Sequence, residues 1–338
     1  MHKHIRILEI EATNTCNASC PQCLRTNTNG TAHSDYNDVL DFERVVASTG
    51  TDFWAGLEQI HLNGNTGDNI AHPAIKDIVV KTLDLSPNAR ITISTNGSLR
   101  NTDWWANFGS AVANRTVSVI FGIDGLEDTH HLHRVGTSWQ KIINNAQAFI
   151  NAGGHAQWQM IPFQHNQHQI QQCKELAEQL GFKKFFLRHE NRFSDKESSQ
   201  PVYFHNKLTH SIEPPVDIDS LLDTYNHQHL KLSASMEGMS TKKKINCRSI
   251  RTNWMAIYAD GTVWPCCHLM GWHKSQHQNK FYPLIQYHFD KILQLDLDQM
   301  NLYNNTLEDI FNSVAWQQGY EQTFENRPNP VCLQQCSV

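Results

Sequence analysis

The fold is decided near the start of the chain by the stretch IRILEIEATNTCNASCPQC, residues 5–23. Its first half alternates apolar and polar residues, which predicts a β-strand over residues 5–12. Its second half places Cys16, Cys20 and Cys23 at the spacing C-x3-C-x2-C, on the loop that leaves this strand. The residues with the clearest chemical potential therefore lie at the carboxyl end of the first strand.

The pattern of a strand followed by a helix recurs along the first half of the chain. Further short, β-branched apolar runs predict strands over residues 57–62, 90–94, 116–123, 155–161 and 183–188. Between them, residues 74–83, 103–113, 139–152 and 166–180 have helical periodicity, and Gly181 is a typical helix stop. About six βα units in series predict an α/β fold with a parallel sheet and helices outside it. Since a closed barrel of this type needs eight strands, we expect a partial (βα)6 TIM-like barrel over residues 1–190, with its active site at the carboxyl ends of the strands.

The pattern weakens after this region. Residues 191–244 are predicted to be a connector with one helix near residues 219–232. A small α+β unit is expected over residues 245–338. It begins with a β-hairpin over residues 253–265 that turns at Asp260-Gly261, and it contains a helix over residues 307–324.

Composition restricts the classes of function. The chain has 338 residues with 28 basic and 33 acidic side chains, so it lacks the basic excess of a general nucleic-acid-binding protein. No apolar run is long enough to span a bilayer, and the N-terminus lacks the apolar segment of an export signal. We therefore expect a cytoplasmic protein with no membrane contact. In that reducing compartment, the nine cysteines indicate metal binding or catalysis rather than disulfides.

The spacing of the first three cysteines suits an iron–sulfur cluster. Three thiolates on a short loop can hold three irons of a [4Fe–4S] cluster and leave the fourth iron unligated. An open coordination position is typical of a catalytic metal site. A zinc knuckle with a distant fourth ligand is the alternative that spacing alone leaves open.

Four further segments extend the pattern in chain order: Thr66-Gly67-Asp68, Ser94-Thr95-Asn96-Gly97, Gly122-Ile123-Asp124-Gly125 followed by His130 and Arg134, and Ile161. Together with the cysteine loop, they resemble the radical S-adenosylmethionine (radical SAM) superfamily, in its SPASM/Twitch branch. The resemblance implies that Thr66, Gly67 and Asp68 bind the methionine amino group and that Ser94 and Asn96 contact ribose and methionine. It also implies that Arg134 reaches the methionine carboxylate and that Ile161 lines the adenine pocket.

The chain departs from the family pattern at four positions. Gln22 stands where an aromatic residue usually precedes the third cysteine, and the resemblance makes it a candidate cofactor contact; Thr66, Asp68 and Gly122 replace the more usual Gly, Glu and Ser. Cofactor contacts made by the backbone would survive these changes. A side-chain contact from Gly122 cannot exist.

A second set of cysteines lies in the C-terminal part. Cys247, Gly261 and Cys266 have the spacing C-x13-G-x4-C, and Cys332 and Cys336 complete a set of four thiols. Four thiolates can hold a second, auxiliary [4Fe–4S] cluster or a structural zinc ion. The first part of this set resembles the start of SPASM domains, and the two C-terminal cysteines fit the shortened Twitch version.

Two cysteines remain outside these sets. Cys173 lies in a helical pattern, where we expect a buried, small apolar residue. Cys267 directly follows Cys266, at the place where related sulfatase-maturating enzymes have an aspartate that acts as a base. A thiol at that position is a candidate catalytic group that donates a hydrogen atom, or else a cluster ligand. The histidines, including His130, His131 and His133, lack metal-binding spacing and are expected in loops or on the surface.

The resemblance implies an enzyme that cleaves S-adenosylmethionine reductively to a 5′-deoxyadenosyl radical, which then abstracts a hydrogen from the substrate. The auxiliary cluster would assist a net oxidation or an epimerisation, and an external donor such as flavodoxin or ferredoxin would supply electrons. Because the first cysteine is preceded by only fifteen residues, a small-molecule or nucleotide-like substrate is favoured over a peptide. Ribosomal-peptide crosslinking or maturation is the alternative reaction, and a zinc-binding interaction protein is the alternative outside enzymes.

Overall fold

The structure is a computed structural model that describes residues 4–21, 23–27, 29–31, 37–189, 193, 199–225, 245–274, 296–317, 332 and 336. Its strands are β1 (Ile7–Ile10), β2 (Gln59–Leu62), β3 (Arg90–Thr95), β4 (Val117–Gly122), β5 (Ala156–Met160), β6 (Lys184–Leu187), β7 (Gln200–Phe204), β8 (Lys207–Ile212), β9 (Trp254–Ile257) and β10 (Val263–Trp264). Its helices are α1 (Phe42–Thr49), α2 (Thr51–Ala55), α3 (Ile75–Leu85), α4 (Thr102–Val112), α5 (Glu127–His133), α6 (Trp139–Asn151), α7 (Ile170–Gln179), α8 (Ile218–Tyr225), α9 (Arg248–Thr252), α10 (Cys267–Lys274) and α11 (Leu307–Asn312).

The main sheet has eight strands in the part of the chain that is described, in the order β10-β9-β1-β2-β3-β4-β5-β6. Strands β1 to β6 are neighbours in chain order and all pair in parallel. Helices connect each strand to the next, so the architecture is an α/β partial barrel of six βα units. The predicted fold class is confirmed.

The two faces of the sheet differ in polarity. Four in-register residues on neighbouring strands are buried in the apolar core beneath the helices: Leu8, Ile60, Ile91 and Val117. The residues that follow each of them point to the other face, and all are polar: Glu9, His61, Thr92 and Ser118. Because helices cover the apolar face, the polar face lines the inside of the barrel.

All six predicted strands and all four predicted helices of the barrel region are present, with boundary shifts of a few residues. Helices α1 and α2, which connect β1 to β2, and helix α5, after β4, are not predicted. Helix α1 is amphipathic, and its N-cap Asp41 accepts a hydrogen bond from the Arg44 N–H at 3.1 Å. Among the described residues, no helix has the length and apolar character needed to cross a membrane.

The region predicted as a connector contains more structure than one helix. Strands β7 and β8 form an antiparallel hairpin, and α8 covers the first part of the predicted helix, whose residues 226–232 lie outside the described part. The predicted hairpin of the C-terminal unit is present as β9 and β10. It is not a separate sheet, however, because β9 pairs in parallel with β1 and extends the barrel. Helix α11 begins at Leu307, as predicted, and ends at Asn312. The last part of the predicted helix, residues 318–324, lies outside the described residues.

Candidate active site and cluster-binding cysteines

The first cysteine loop leaves the carboxyl end of β1, and the thiols of Cys20 and Cys23 lie near enough to Cys16 to act on its charge. Burial raises the pKa of Cys16, and the Asp68 carboxylate and the thiols of Cys20 and Cys23 raise it further. The backbone N–H of Cys23 donates to the Cys20 carbonyl at 3.1 Å, which closes the loop into a turn. Gln22, a predicted cofactor contact, lies outside the described residues.

Cys16 suits a metal cluster because the charge of its thiolate needs compensation. A thiol whose pKa is raised by burial and by neighbouring negative groups ionises only when a cation is bound next to it, and a metal provides that charge. Soft thiolates select iron–sulfur clusters or zinc over magnesium and calcium. No group of three or more Cys, His, Asp or Glu side chains in the described part converges closely enough to hold a single metal ion.

The loop after β2, which contains Thr66, Gly67 and Asp68, packs against the cysteine loop. The Asp68 N–H donates to the Thr15 carbonyl at 2.8 Å. A Cβ atom on Gly67 would overlap the Thr13 carbonyl oxygen, so only glycine allows the two backbones to approach this closely. Thr66 is fully buried, and its hydroxyl finds no hydrogen-bond partner within the described part of the chain. The structure therefore places this loop beside the cysteines, while its contacts to a cofactor stay predictions.

Asp68 connects two loops instead of pointing into open space. Its Oδ2 accepts the Asn96 N–H at 2.8 Å and the Thr95 hydroxyl at 2.9 Å, and its Oδ1 accepts the Ile70 N–H at 3.0 Å. Burial raises the pKa of Asp68, and the Asn96 N–H opposes that shift. The carboxylate thus aligns the loop after β2 with the loop after β3.

Asn96 and Ser94 differ in their distance from the cysteine loop. The side-chain amide of Asn96 donates to Asn17 Oδ1 at 2.9 Å and to Cys16 Sγ at 3.5 Å. Ser94 lies within β3, paired with Ile120, and faces the inside of the barrel one layer below Asn96. Asn96 is therefore brought directly to the predicted cluster site, and Ser94 is not.

Asp124, which follows β4, is a fully buried carboxylate that holds Arg134. The Arg134 Nε donates to Asp124 Oδ2 at 2.5 Å, and His133 Nδ1 lies 2.7 Å from the same oxygen. Burial opposes ionisation, but the charges of Arg134 and His133 hold the pKa of Asp124 well below its usual range. Burial likewise opposes the charge of Arg134, and the Asp124 carboxylate and the Cys20 thiol raise its pKa above the usual value. The guanidinium thus lies between Asp124 and the cysteine loop.

Gly122 departs from the family pattern for a steric reason. A Cβ atom at this position would lie 2.8 Å from Arg134 Nη2 and 3.1 Å from Cζ. The glycine therefore leaves room for the guanidinium to lie flat against β4.

The prediction that the histidines before Arg134 are loop or surface residues is wrong for two of the three. All three lie on helix α5; His131 is exposed, whereas His130 and His133 are buried. Burial lowers the pKa of His130 to about 3, so this ring is neutral at physiological pH. Its Nδ1 accepts the Asp124 N–H at 3.1 Å, which leaves Nε2 to donate to the Thr137 hydroxyl at 3.0 Å.

Ile161 is tied to the same carboxylate. Its N–H donates to Asp124 Oδ1 at 2.7 Å, so Asp124 positions both Arg134 and the end of β5. The Ile161 side chain belongs to a small apolar cluster with Val135, Phe163, Val202 and Ile212. Two members of this cluster come from the β7–β8 hairpin, so an element that the sequence did not predict helps to build the surface proposed for adenine.

The structure brings the four cysteines of the second set together. The Cys247 thiol donates a hydrogen bond to Cys336, which lowers the pKa of Cys336. Burial raises the pKa of Cys332, and Cys266 and Cys336 raise it further. The four thiols come from the start of α9, the end of β10 and the C-terminal segment, which are distant in sequence. They are close enough to influence one another's charge, and a shared group held by all four thiolates stays a prediction.

Cys173 and Cys267 have different surroundings. Cys173 is fully buried on α7 within the apolar core, which confirms its predicted role as a small apolar residue. Cys267 begins α10, and its thiol interacts with the carboxylate of Glu9 on β1. The hairpin β9–β10 therefore carries this thiol to the inside of the barrel.

Glu9 and Glu11 were missed by the sequence analysis. Both are fully buried on the inner face of β1, beside the loop that follows β2. A signal was available, because strands of a parallel sheet are usually apolar on both faces and this one carries acidic residues at two inward positions. Alternation alone does not distinguish a polar face that lines a barrel from one that faces solvent.

Comparison with known proteins supports the fold and the C-terminal assignment. Residues 247–337 match the SPASM family, described as an iron-sulfur cluster-binding domain. The structure of SuiB from Streptococcus suis bound to S-adenosylmethionine is similar with a TM-score of 0.61 and 15% identity, over 98% of this chain and 72% of SuiB. SuiB bound to the precursor peptide SuiA gives a TM-score of 0.60 and 13% identity, over 98% and 71%. The structure of histidine-tagged anSMEcpe with bound AdoMet gives 0.54 and 16%, over 98% and 85%. No curated protein matches the chain.

The fold extends over almost the whole chain, and the family match covers the second set of cysteines. Together they agree with the resemblance seen in the sequence: residues 247–337 match the SPASM family of iron-sulfur cluster-binding domains, and the chain shares its fold with proteins whose structures contain bound S-adenosylmethionine.

Proposed function

We propose that the chain is an enzyme that cleaves S-adenosylmethionine reductively and takes a hydrogen atom from a substrate inside the barrel. The observation that carries this proposal is the convergence of the three-cysteine loop, Gly67, Asn96 and Arg134 at the carboxyl edge of the sheet. In this proposal residues 1–190 form the catalytic barrel, residues 191–244 connect it to the second unit, and residues 245–338 hold the auxiliary cluster.

The residues at this edge have distinct roles. Cys16, Cys20 and Cys23 would hold a [4Fe–4S] cluster with one iron open for the amino and carboxylate groups of S-adenosylmethionine. When bound, these groups supply a 5′-deoxyadenosyl radical that abstracts hydrogen from the substrate. Arg134 provides a fixed positive charge for the methionine carboxylate, and Asp124 holds it in place. Ile161 and its apolar neighbours provide a dry surface suited to adenine.

The second cysteine set supports an oxidative role. Cys266, one of its members, is followed directly by Cys267, whose thiol reaches Glu9 in the barrel interior. A second cluster held there adjoins the region where the substrate radical would form, which suits it as an electron acceptor in a two-electron oxidation. If Cys267 instead returns a hydrogen atom to the substrate, the net reaction is an epimerisation, and the external electron donor and a proton would convert the resulting thiyl radical back to the thiol. Product analysis in deuterated buffer separates the two, because only epimerisation places solvent deuterium on carbon.

Peptide modification is a second candidate. It is supported by the structure of SuiB bound to its precursor peptide and by that of anSMEcpe bound to the Cp18Cys peptide, which has a TM-score of 0.52 against this chain at 16% identity. A peptide substrate would raise the rate of 5′-deoxyadenosine formation when added to the reconstituted enzyme. A small amine or nucleotide-like substrate would do so in its place under the first proposal.

The test is 5′-deoxyadenosine release by anaerobically reconstituted enzyme with dithionite or a flavodoxin as electron donor. We expect formation by the wild type and by Cys173→Ala, whose thiol lies in the apolar core, and none by Cys20→Ala. An unchanged yield in Cys20→Ala would refute the proposal. Colour and acid-labile sulfide in the wild type exclude the alternative of a zinc-binding interaction protein.

A further inference from the structure

The inner face of β1 carries two buried carboxylates that the cofactor-binding groups do not use. Glu9 and Glu11 both have no exposed surface. None of the ion pairs among the described residues includes either of them. Buried carboxylates are costly unless they are paired with a cation or fully hydrogen-bonded, so each needs a physical explanation.

Glu11 is explained by the loop after β2. Its Oε1 accepts the backbone N–H and the side-chain amide of Asn65, each at 2.9 Å, and its Oε2 accepts the Thr66 N–H at 3.4 Å. Both oxygens thus hold the loop that leads to Gly67. Glu11 is a positioning residue.

Glu9 is only half explained. Its Oε1 accepts the side-chain amides of Asn65 at 2.6 Å and Asn63 at 2.9 Å. Its Oε2 is buried and accepts no bond from a nitrogen or oxygen donor of any described residue. The Cys267 thiol hydrogen-bonds the carboxylate, but a thiol is a weak donor and leaves most of the acceptor capacity of the carboxylate unused. The two amides fix the carboxylate and leave one oxygen directed away from them.

A second unpartnered group lies beside this pair. The Thr66 hydroxyl is fully buried and has no partner among the described residues, and the N–H of the same residue contacts Glu11. Native proteins leave few buried polar atoms unpaired, and each such atom needs an explanation, such as a bound ion, water or ligand. The two atoms flank the Asn65–Asp68 loop, which itself lies against the cysteine loop.

The charge of this region identifies the kind of ligand. Two carboxylates lie side by side and share the Asn65 amide, while Arg188, which is exposed, acts on Glu9 through its charge. Burial raises the pKa of Glu9, and burial together with the Glu9 charge raises the pKa of Glu11 to about 8, so the ionised pair is disfavoured without a cation nearby. An ammonium group has a positive charge and several N–H donors, so it satisfies Glu9 Oε2 and favours the ionised form of the pair. A neutral donor such as a hydroxyl would satisfy the oxygen but would not favour ionisation in this way.

We propose that Glu9 binds a protonated amine of the substrate inside the barrel, next to the S-adenosylmethionine site. This inference rests on the proposed function, since it names the substrate class of the same site. The amine belongs either to a small molecule or to a side chain of a peptide, and both have the same ammonium chemistry.

The test uses reconstituted holoenzyme and n-butylammonium as the probe, with n-butanol as the uncharged match of similar shape. Ligand-observed NMR titration measures both dissociation constants. We expect the wild type to bind butylammonium at least about tenfold more tightly than butanol, a difference of about 1.4 kcal/mol. Glu9→Gln, which keeps the size and the acceptor for Asn63 and Asn65, should remove this preference. Glu58→Gln, at an exposed ion pair with Arg6, is the control and should retain it.

Three outcomes would overturn the inference. One is equal binding of butylammonium and butanol by the wild type, which needs no variant and so does not depend on how Glu9→Gln folds. Another is an unchanged preference in Glu9→Gln. The third is loss of S-adenosylmethionine binding in Glu9→Gln, because Oε2 would then contact that cofactor instead of the substrate.

Two further measurements complete the experiment. Formation of 5′-deoxyadenosine by the same wild-type sample distinguishes failure of the amine site from failure of the proposed function. If 5′-deoxyadenosine forms but butylammonium is not preferred, only the amine site is refuted. If no 5′-deoxyadenosine forms, the proposed function is refuted. Replacing the probe with an aminocyclohexanol or with N-acetyl-lysine amide identifies the source of the amine. The one that binds more tightly indicates whether the amine belongs to a small molecule or to a peptide.

Discussion

The buried Asp124 carboxylate connects the predicted carboxylate-binding arginine to the strand end proposed for adenine. Replacing it by asparagine keeps its size and the acceptor for the Ile161 N–H, which lies 2.7 Å from Oδ1. The change removes the negative charge that Arg134 contacts through Nε at 2.5 Å. It therefore tests the ion pair without opening a cavity.

The magnitude follows from burial. Asp124 has no exposed surface, and the Arg134 side chain is 16% exposed. Removing one partner of a buried ion pair costs about 3–5 kcal/mol, since the other charge is left without compensation. Because Arg134 keeps a little solvent contact, we expect the lower part of this range for Asp124→Asn, about 3 kcal/mol in the free energy of unfolding. A guanidinium that is no longer held should also bind S-adenosylmethionine more weakly, by about tenfold or more.

The assay is urea denaturation of the reduced chain without clusters, followed by tryptophan fluorescence, with S-adenosylmethionine binding measured separately on reconstituted protein. Asp128→Asn is the matched control, because Asp128 is exposed on the same segment and accepts from the Gln169 amide at 2.9 Å. Its effect should stay within about 0.5–1 kcal/mol. A stability of Asp124→Asn within about 0.5 kcal/mol of the wild type would show that the pair does not hold Arg134 as argued.

Three further predictions concern the clusters, a close backbone approach and a buried histidine. Reconstituted wild type should contain about eight irons per chain, and the Cys16/Cys20/Cys23→Ala triple variant about four. Four irons in the wild type and none in the variant would show that the C-terminal cysteines hold no iron cluster. Gly67→Ala should lower the free energy of unfolding by about 1–3 kcal/mol and abolish S-adenosylmethionine binding, because the new Cβ overlaps the Thr13 carbonyl oxygen. Gly56→Ala is the control and should change little, since its Cβ would have its nearest neighbour at 3.6 Å. Equal S-adenosylmethionine binding by the two variants would contradict the prediction. Burial lowers the pKa of His130 to about 3, so as the pH falls from 6.5 to 4.5 the unfolded chain binds a proton at this ring that the folded chain excludes. The free energy of unfolding of the wild type should therefore fall by about 2–3 kcal/mol more than that of His130→Gln over this range. Urea denaturation measures both, and the same pH dependence in the two proteins would refute the prediction.

The barrel was predictable because its signals are local. Strands β1 to β6 are short apolar runs, and helices α3, α4, α6 and α7 have helical periodicity between them, so a window of about ten residues suffices for each. Helix α5 was missed because its sequence, EDTHHLH, has no apolar stripe. It is held instead by the bonds of His130 and His133 to Asp124, which depend on the approach of β4.

The site shows the same division. The spacing of Cys16, Cys20 and Cys23, and that of Cys247 and Cys266, could be predicted from the sequence because each set lies within one loop or one hairpin. The engagement of Asp68 with Asn96 could not, since it joins residues 28 positions apart and depends on the register of β2 against β3.

By itself, the sequence determined the α/β barrel, the position of the cysteine loop at a strand end and the composition of the second thiol set, because hydrophobic period and residue spacing are properties of the local chain. Only the tertiary structure decided that β9 pairs with β1 and thereby brings Cys267 to Glu9. The tertiary structure also leaves one oxygen of Glu9 in the interior without a nitrogen or oxygen donor among the described residues. Such features arise from the packing of segments distant in sequence, where burial sets the charge state and the partners of each polar group.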